Sequence, residues 1–315
     1  EGQVEGSLKQ ILRLTPFAQN DKNMTILEAL NWAQGQLKST ADQKRIMQAN
    51  PMLDAQVLLS HYLDKPTSYL FAHGEDELTP ATCEAYQRLI ERRQRHEPIS
   101  HILQQKEFFG RPFFINQFVL TPRPETEIMV ENAMSAISPE STLIEIGTGS
   151  GAIAVTLAAE LQQPVIAIDI DPQALSVARR NARSHTVDHL IAFQHGSLLE
   201  PYIQKNIRET GHGIILANLP YLTPTQWELS DPDVKEYEPK HALVGGIDGL
   251  DLYDQLLQQV ANNRNLFPAE LDLYFEIDPR QERSIQALIL EIFPQAQIKI
   301  IPDLNHKARI VKISI

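Results

Sequence analysis

The sequence predicts an α/β protein in which a mostly parallel sheet ends in an antiparallel hairpin and follows a small helical domain. Three observations predict this. From Ser141 onward, short apolar runs of strand length alternate with segments of helical period. The last two runs, 298–301 and 309–315, are joined by only 302–308, a link too short for a parallel crossover, so they must pair antiparallel. Before Glu97 the clear periodicity is helical and carries cap signals.

Taken in order, residues 1–23 are mixed and aperiodic and are expected to form a mobile extension. Thr25-Ile26-Leu27-Glu28 has capping-box spacing and should start a helix running to about Leu37. Asn50-Pro51 supplies an N-cap and a first-turn proline, with Leu53, Val57, Leu58 and Tyr62 expected on the inner face. Thr79-Pro80 repeats that signal for a helix to about His96, with Tyr86, Leu89 and Ile90 inward. Phe108, Phe109, Phe113, Phe114 and Phe118 then sit among Gly110, Pro112, Asn116 and Pro122, the pattern of a β-ribbon; a hydrophobic linker packed on its neighbours is the alternative. The resulting division is 1–23 extension, 24–103 helical domain, 104–124 ribbon linker and 125–315 α/β domain. In the last, 143–146, 165–168, 191–193, 214–217 and 271–277 read as buried strands, with helices over 251–262 and 281–292.

Composition excludes several classes. The 315 residues are 43% hydrophobic, enough for a proper core, and carry a net charge of −12. That charge argues against a broad grip on nucleic acid, which needs many basic side chains, and the longest basic runs are Arg92-Arg93 and Arg179-Arg180. Cys83 is the only cysteine, so neither an internal disulfide nor a cysteine-rich zinc site is available. His101, His195, His212 and His241 lack metal-ligand spacing and read as packing or surface residues. No apolar run approaches the roughly 20 residues of a membrane span, and 1–23 lack an apolar signal core, so a cytoplasmic protein is expected; a monomer is the default expectation, since the sequence does not reveal oligomeric state.

Two motifs carry the chemistry. Gly147-Thr148-Gly149-Ser150-Gly151 follows a predicted strand and opens a helix, where glycines allow a tight turn and close approach of a ligand. Asp169 ends the next strand, placed to accept the hydroxyls of a ribose. Gly147-x-Gly149-x-x-Ala152 also satisfies the loose dinucleotide pattern, so the glycines alone leave a dehydrogenase open. Glu145 leans the other way, because an acidic group there suits a cationic sulfonium and repels a pyrophosphate; Gly151 makes the loop more open than a dinucleotide needs. Asn218-Leu219-Pro220-Tyr221 follows another apolar strand. The Asn218 side-chain oxygen and Leu219 carbonyl are two acceptors for a planar N–H₂ group, with Pro220 fixing the turn and Tyr221 lying against the plane. Read alone it is an ordinary Asn-Pro turn; in series with the glycine loop it points to a methyltransferase using S-adenosylmethionine. Trp227 and Tyr237 are either a substrate lip or core residues.

With these residues placed, the chain resembles the release-factor glutamine methyltransferase (HemK-like) family over nearly all of 24–315. The resemblance is carried by Glu145 to Ala154, Glu97-Pro98-Ile99-Ser100-His101-Ile102 with Glu107-Phe108-Phe109-Gly110, Thr121-Pro122-Arg123-Pro124-Glu125-Thr126-Glu127, and Tyr237-Glu238-Pro239 with Gly246-x-Asp248-Gly249-Leu250. It implies a helical substrate-recognition domain, a ribbon linker and a Rossmann-like, seven-stranded class I methyltransferase domain. It also implies methylation of the glutamine in the Gly-Gly-Gln loop of peptide chain release factors. By position it implies that Glu145, Gly147, Thr148, Gly149, Gly151, Asp169, Ser197, Asn218 and Arg123 serve the cofactor, while Asn218, Leu219, Pro220 and Tyr221 hold the amide. Arg123 has a second reading, as a structural ion-pair partner. Three departures stand out: Leu219 replaces a usual proline and predicts a less rigid turn, Ser197 stands where an aspartate is usual, and Asp278 where glycine is typical. Asn-Leu-Pro-Tyr is also the form found in ribosomal-RNA adenine dimethylases. The competing readings are therefore a ribosomal-protein glutamine, an adenine N6, or a cofactor-binding module without catalysis.

Overall fold

A computed structural model of the chain describes residues 24–44, 50–206, Arg208 and 210–315. The expected extension 1–23 lies outside the described residues. The chain divides between Leu103 and Gln104 into two units, each with its own packing.

The first unit is helical: α1 (Ile26–Lys44), α2 (Pro51–Leu63), α3 (Thr67–Ala72), α4 (Pro80–Gln94) and α5 (Ile99–Leu103). The Thr25 capping box forms, with the Glu28 N–H on Thr25 Oγ1 and the Thr25 N–H on Glu28 Oε2. α1 runs seven residues beyond the expected Leu37, because 38–44 hold no proline or glycine to end it. Asn50 and Thr79 cap α2 and α4 through the N–H groups of Leu53 and Thr82. The inner face of α2 differs from expectation. Ala55, Leu58 and Leu59 are buried while Leu53 and Tyr62 are about half exposed, so the helix is turned to put the small Ala55 against its neighbours. On α4, Tyr86 and Ile90 are buried as expected; the Tyr86 hydroxyl donates to the Ala55 carbonyl.

The second unit opens with the hairpin β1 (Gln105–Phe108) and β2 (Arg111–Phe114), turned through Phe109 and Gly110, both at positive φ. Then follow α6 (Pro124–Met134), β3 (Thr142–Ile146), α7 (Ala152–Leu161), β4 (Val165–Asp169), α8 (Pro172–Ser184), β5 (Ile191–His195), α9 (Glu200–Gln204) and β6 (His212–Ala217). α10 (Pro224–Glu228), α11 (Pro232–Tyr237), α12 (Asp251–Asn262), β7 (Glu270–Glu276), α13 (Glu282–Ile292), β8 (Gln297–Pro302) and β9 (Ala308–Ser314) complete it. Seven strands form one sheet in the order β5-β4-β3-β6-β7-β9-β8, parallel except for β9, which pairs antiparallel with both β7 and β8. Core packs on both faces. Val155, Leu157 and Ala158 of α7 meet one side, and Tyr253, Leu256, Leu257 and Val260 of α12 the other. This is the expected Rossmann-like, doubly wound sheet with its terminal antiparallel hairpin.

Candidate active site

Strand register builds the site. Ile168, Ile146, Ala217 and Phe275 are partners across β4, β3, β6 and β7. The residue after each, Asp169, Gly147, Asn218 and Glu276, therefore stands in one row at the carboxyl edge of the sheet. β3 has β4 on one side and β6 on the other, so strand order reverses there and opens a crevice. The two sequence motifs leave the sheet side by side: a Cβ on Gly147 would sit 3.2 Å from Leu219 Cδ2 and 3.9 Å from the Asn218 carbonyl oxygen.

The glycine loop is tied to its neighbour strand by the N–H groups of Gly147 and Thr148, which donate to the Ile168 carbonyl at 2.8 and 3.1 Å. Gly147 and Gly149 have φ of 73° and 53° and line a cavity with Thr148 and Ser150. Gly151, expected to line it too and to open the loop, is not among the lining residues. Its φ of 80° caps α7, and a Cβ there would meet Ala178 Cβ at 3.0 Å, so it closes α7 onto α8.

Asp169 lies in the cavity wall, its Oδ2 accepting the Gly149 N–H at 2.8 Å and its Oδ1 the Asp171 N–H at 2.9 Å. A carboxylate has about four acceptor sites, so one N–H on each oxygen leaves capacity for hydroxyls. Glu145 is 2% exposed, and its Oε2 accepts from Thr148 Oγ1 at 2.6 Å and the Ala154 N–H at 3.0 Å. Burial pushes the Glu145 carboxyl up to about 8 and raises Asp169 as well. The Asp169 carboxylate favours a cationic ligand and opposes a pyrophosphate, whereas Glu145, its carboxyl held up to about 8, is mostly protonated near neutral pH and adds little charge. Apolar Ile170 and Leu198, with Ser197, complete this end.

Arg123 borders the cavity and pairs through Nη2 with Glu238 Oε2 at 2.6 Å, the ion-pair role that was its second reading. Glu238 is buried; desolvation raises its carboxyl, and Arg123 opposes that shift.

The Asn218 turn is held from behind. Asn218 Nδ2 donates to Thr126 Oγ1 at 3.1 Å and to Glu276 Oε2 at 3.0 Å, and Thr126 Oγ1 itself donates to Glu276 Oε2 at 2.6 Å. With its nitrogen committed, the planar amide carries Oδ1 on its other side. The turn expected to be loosened by Leu219 is pinned in another way. The Leu219 N–H, which a proline would lack, donates to the Tyr253 hydroxyl at 3.2 Å, and that hydroxyl donates to the Glu276 carbonyl. Leu219 is also buried. Pro220 lines the glycine-loop cavity and an adjoining one, and Tyr221 lines only the latter, with Ser230, Val234 and Leu243, its hydroxyl donating to Glu276 Oε1 at 3.2 Å.

Sequence reasoning missed Thr126, Tyr253 and the part played by Glu276. Glu276 could have been found as the first polar residue closing the apolar run of β7. The loop that holds Gly245 and Gly249 has a physical reading: a Cβ on Gly245 would overlap the Pro220 carbonyl oxygen, and one on Gly249 the Tyr221 carbonyl oxygen, so the loop lies directly on the turn. Asp278 forms a capping box with Gln281, whose Nε2 donates to the Tyr221 and Asp248 carbonyls, both at 2.9 Å. His241 reaches the cavity rim, with Nε2 3.7 Å from Asp171 Oδ2. Trp227 carries Lys240 Nζ 3.8 Å from its ring centroid. Among the described residues no cluster of three metal-ligating side chains occurs, and no helix is long and apolar enough to cross a membrane.

Known proteins share this organisation. Residues 28–103 match the family described as the PrmC N-terminal domain, and 123–223 the one described as ribosomal protein L11 methyltransferase (PrmA). The chain is 32% identical over 296 residues to the release factor glutamine methyltransferase of Bacillus anthracis, covering 91% of this chain and 98% of that one. The Bacillus subtilis protein of the same name is 34% identical over 299 residues, covering 91% and 96%. A crystal structure of the hMettl16 catalytic domain in complex with the MAT2A 3′UTR hairpin 1 matches with a TM-score of 0.53 at 13% identity, over 82% of this chain and 90% of that one. That likeness is one of fold.

Proposed function

The chain belongs to the release factor glutamine methyltransferase family, and we propose that it methylates the side-chain amide nitrogen of the Gly-Gly-Gln glutamine in peptide chain release factors. S-adenosylmethionine supplies an electrophilic methyl on a sulfonium. Gly147, Thr148 and Gly149 would cradle that cofactor, Asp169 would take its ribose, and Ser197 would border its base. The Asp169 carboxylate suits its positive charge. The fit is to the cavity the chain presents: a glycine wall, the Asp169 carboxylate, the buried Glu145 carboxyl and an apolar end.

An amide nitrogen is a poor nucleophile because its lone pair is shared with the carbonyl. Asn218 Oδ1 and the Leu219 carbonyl would accept its two N–H bonds, hold it in line and favour positive charge developing at nitrogen. The extra proton then leaves to water, so no general base is required. A cytoplasmic setting follows from such a substrate.

The observation that carries this reading is the anchoring of Asn218 Nδ2 by Thr126 and Glu276, which commits the opposite face of the amide to accepting. Peptide mass spectrometry of an unmethylated release factor, incubated with the protein and S-adenosylmethionine, tests it. A single methyl on the Gly-Gly-Gln glutamine that is absent with Asn218→Ala is expected. A methyl on another glutamine, or on adenine of added RNA, would replace the substrate.

A further inference from the structure

We propose that Glu276 is the positioning residue of the catalytic turn, using its carboxylate to fix which face of the Asn218 amide meets the substrate and its backbone to hold Leu219. This rests on the glutamine-amide reading above.

An asparagine amide can rotate by half a turn and exchange its oxygen and nitrogen at almost no steric cost. Only one orientation serves. With Nδ2 forward, its N–H bonds would face the N–H bonds of a substrate amide and repel them. The other orientation needs acceptors behind, and both partners of Nδ2 are acceptors there. Burial raises the Glu276 carboxyl while the Thr126 and Tyr221 hydroxyls and the Arg309 charge lower it, and its three side-chain partners, Thr126, Tyr221 and Asn218, all present donors, so its oxygens act as acceptors. The hydroxyl beside Asn218, Thr126 Oγ1, spends its proton on Glu276 Oε2, turning its lone pairs toward Asn218. The polarity of the triangle is therefore fixed by Glu276.

The same residue reaches the rest of the turn. Its Oε1 accepts from the Tyr221 hydroxyl at 3.2 Å, and its backbone carbonyl accepts from Tyr253, which takes the Leu219 N–H. Three of the four turn residues are thus referenced to one position on β7. Glu276 is 1% exposed and is the last residue of a strand paired on both sides, so the reference point is rigid. A desolvated, fully engaged network of this kind gives geometry as well as stability.

A reciprocal pair of substitutions tests the inference. Asn218→Asp presents an oxygen to Glu276 in place of the donor, and kcat on the release-factor peptide should fall at least ~100-fold. Adding Glu276→Gln supplies a donor facing that oxygen, and the double variant should recover at least ~10-fold over Asn218→Asp, with S-adenosylmethionine affinity by calorimetry equal in both. A merely structural Glu276 predicts no recovery, and that result overturns the proposal. A second readout needs no substrate. The side-chain amide protons of Asn218, identified by their absence in the Asn218→Asp spectrum, should exchange with water about 10-fold more slowly in the unaltered chain than in Glu276→Ala. Equal exchange overturns the proposal. If the unaltered chain leaves the peptide unmethylated, the glutamine reading falls and the exchange rates alone decide the role of Glu276.

Discussion

Asn218 and Thr126 lie 92 positions apart in sequence, yet the Asn218 amide nitrogen donates to the Thr126 hydroxyl at 3.1 Å. The contact joins the Asn218 turn to the start of α6, within the Thr121–Glu127 signature. It explains that signature physically, since Thr126 backs the amide and Arg123 neutralises buried Glu238.

Tyr253 should matter because residue 219 is leucine. Tyr253→Phe removes the hydroxyl between the Leu219 N–H and the Glu276 carbonyl and should cost roughly 1–3 kcal/mol of stability. In a Leu219→Pro background no N–H remains to be orphaned, so the same substitution should cost less. Urea unfolding of the four proteins in this cycle checks it; equal costs in both backgrounds would remove Tyr253 as the compensation for the missing proline.

Gly245→Ala should separate catalysis from cofactor binding. Its Cβ would overlap the Pro220 carbonyl oxygen, displacing the turn while the glycine loop stays in place. A fall in kcat of roughly 10-fold or more is expected, with a much smaller change in S-adenosylmethionine affinity by calorimetry.

Gly151→Ala should act through stability. The position has φ of 80° and a Cβ would press Ala178 at 3.0 Å, so a loss of roughly 1–3 kcal/mol is expected, seen as a lower Tm. A neutral result would contradict the tight closure of α7 onto α8.

Stability should also report on Glu145. Its carboxyl is raised from 4.5 to about 8, so the folded state holds a proton that the unfolded state has lost across that window. The associated stability is fully present below about 4.5 and is lost as pH rises through about 8. In Glu145→Gln this loss disappears. Its Tm advantage over the unaltered chain should therefore grow from pH 5 to pH 9, by the equivalent of about a few kcal/mol. A difference independent of pH would mean that Glu145 ionises normally.

Much of the site was legible because strand ends are legible. Apolar runs stopping at Ile146, Ile168 and Ala217 placed Gly147, Asp169 and Asn218 at one edge before any register was known. The antiparallel end of the sheet followed from the short 302–308 link alone. What stayed hidden was side-chain partnership across long separations. Nothing local to Asn218 indicates Thr126 or Glu276, and nothing local to Leu219 indicates Tyr253 on α12. Gly151 illustrates the converse, since its place in the loop gave no sign of its close packing on Ala178. The α2 face was misread because Leu53 and Tyr62 outweighed Ala55 in the pattern, although the small residue marks the close approach.

The central claim is a new bond from the donor methyl to a glutamine amide nitrogen. The direct measurement uses a release factor labelled with ¹⁵N in its glutamine side chains and S-adenosylmethionine carrying a ¹³C methyl. After incubation with this protein, the account predicts a one-bond ¹³C–¹⁵N coupling at the Gly-Gly-Gln glutamine, and none with Asn218→Ala. A transferred ¹³C methyl without that coupling would contradict it.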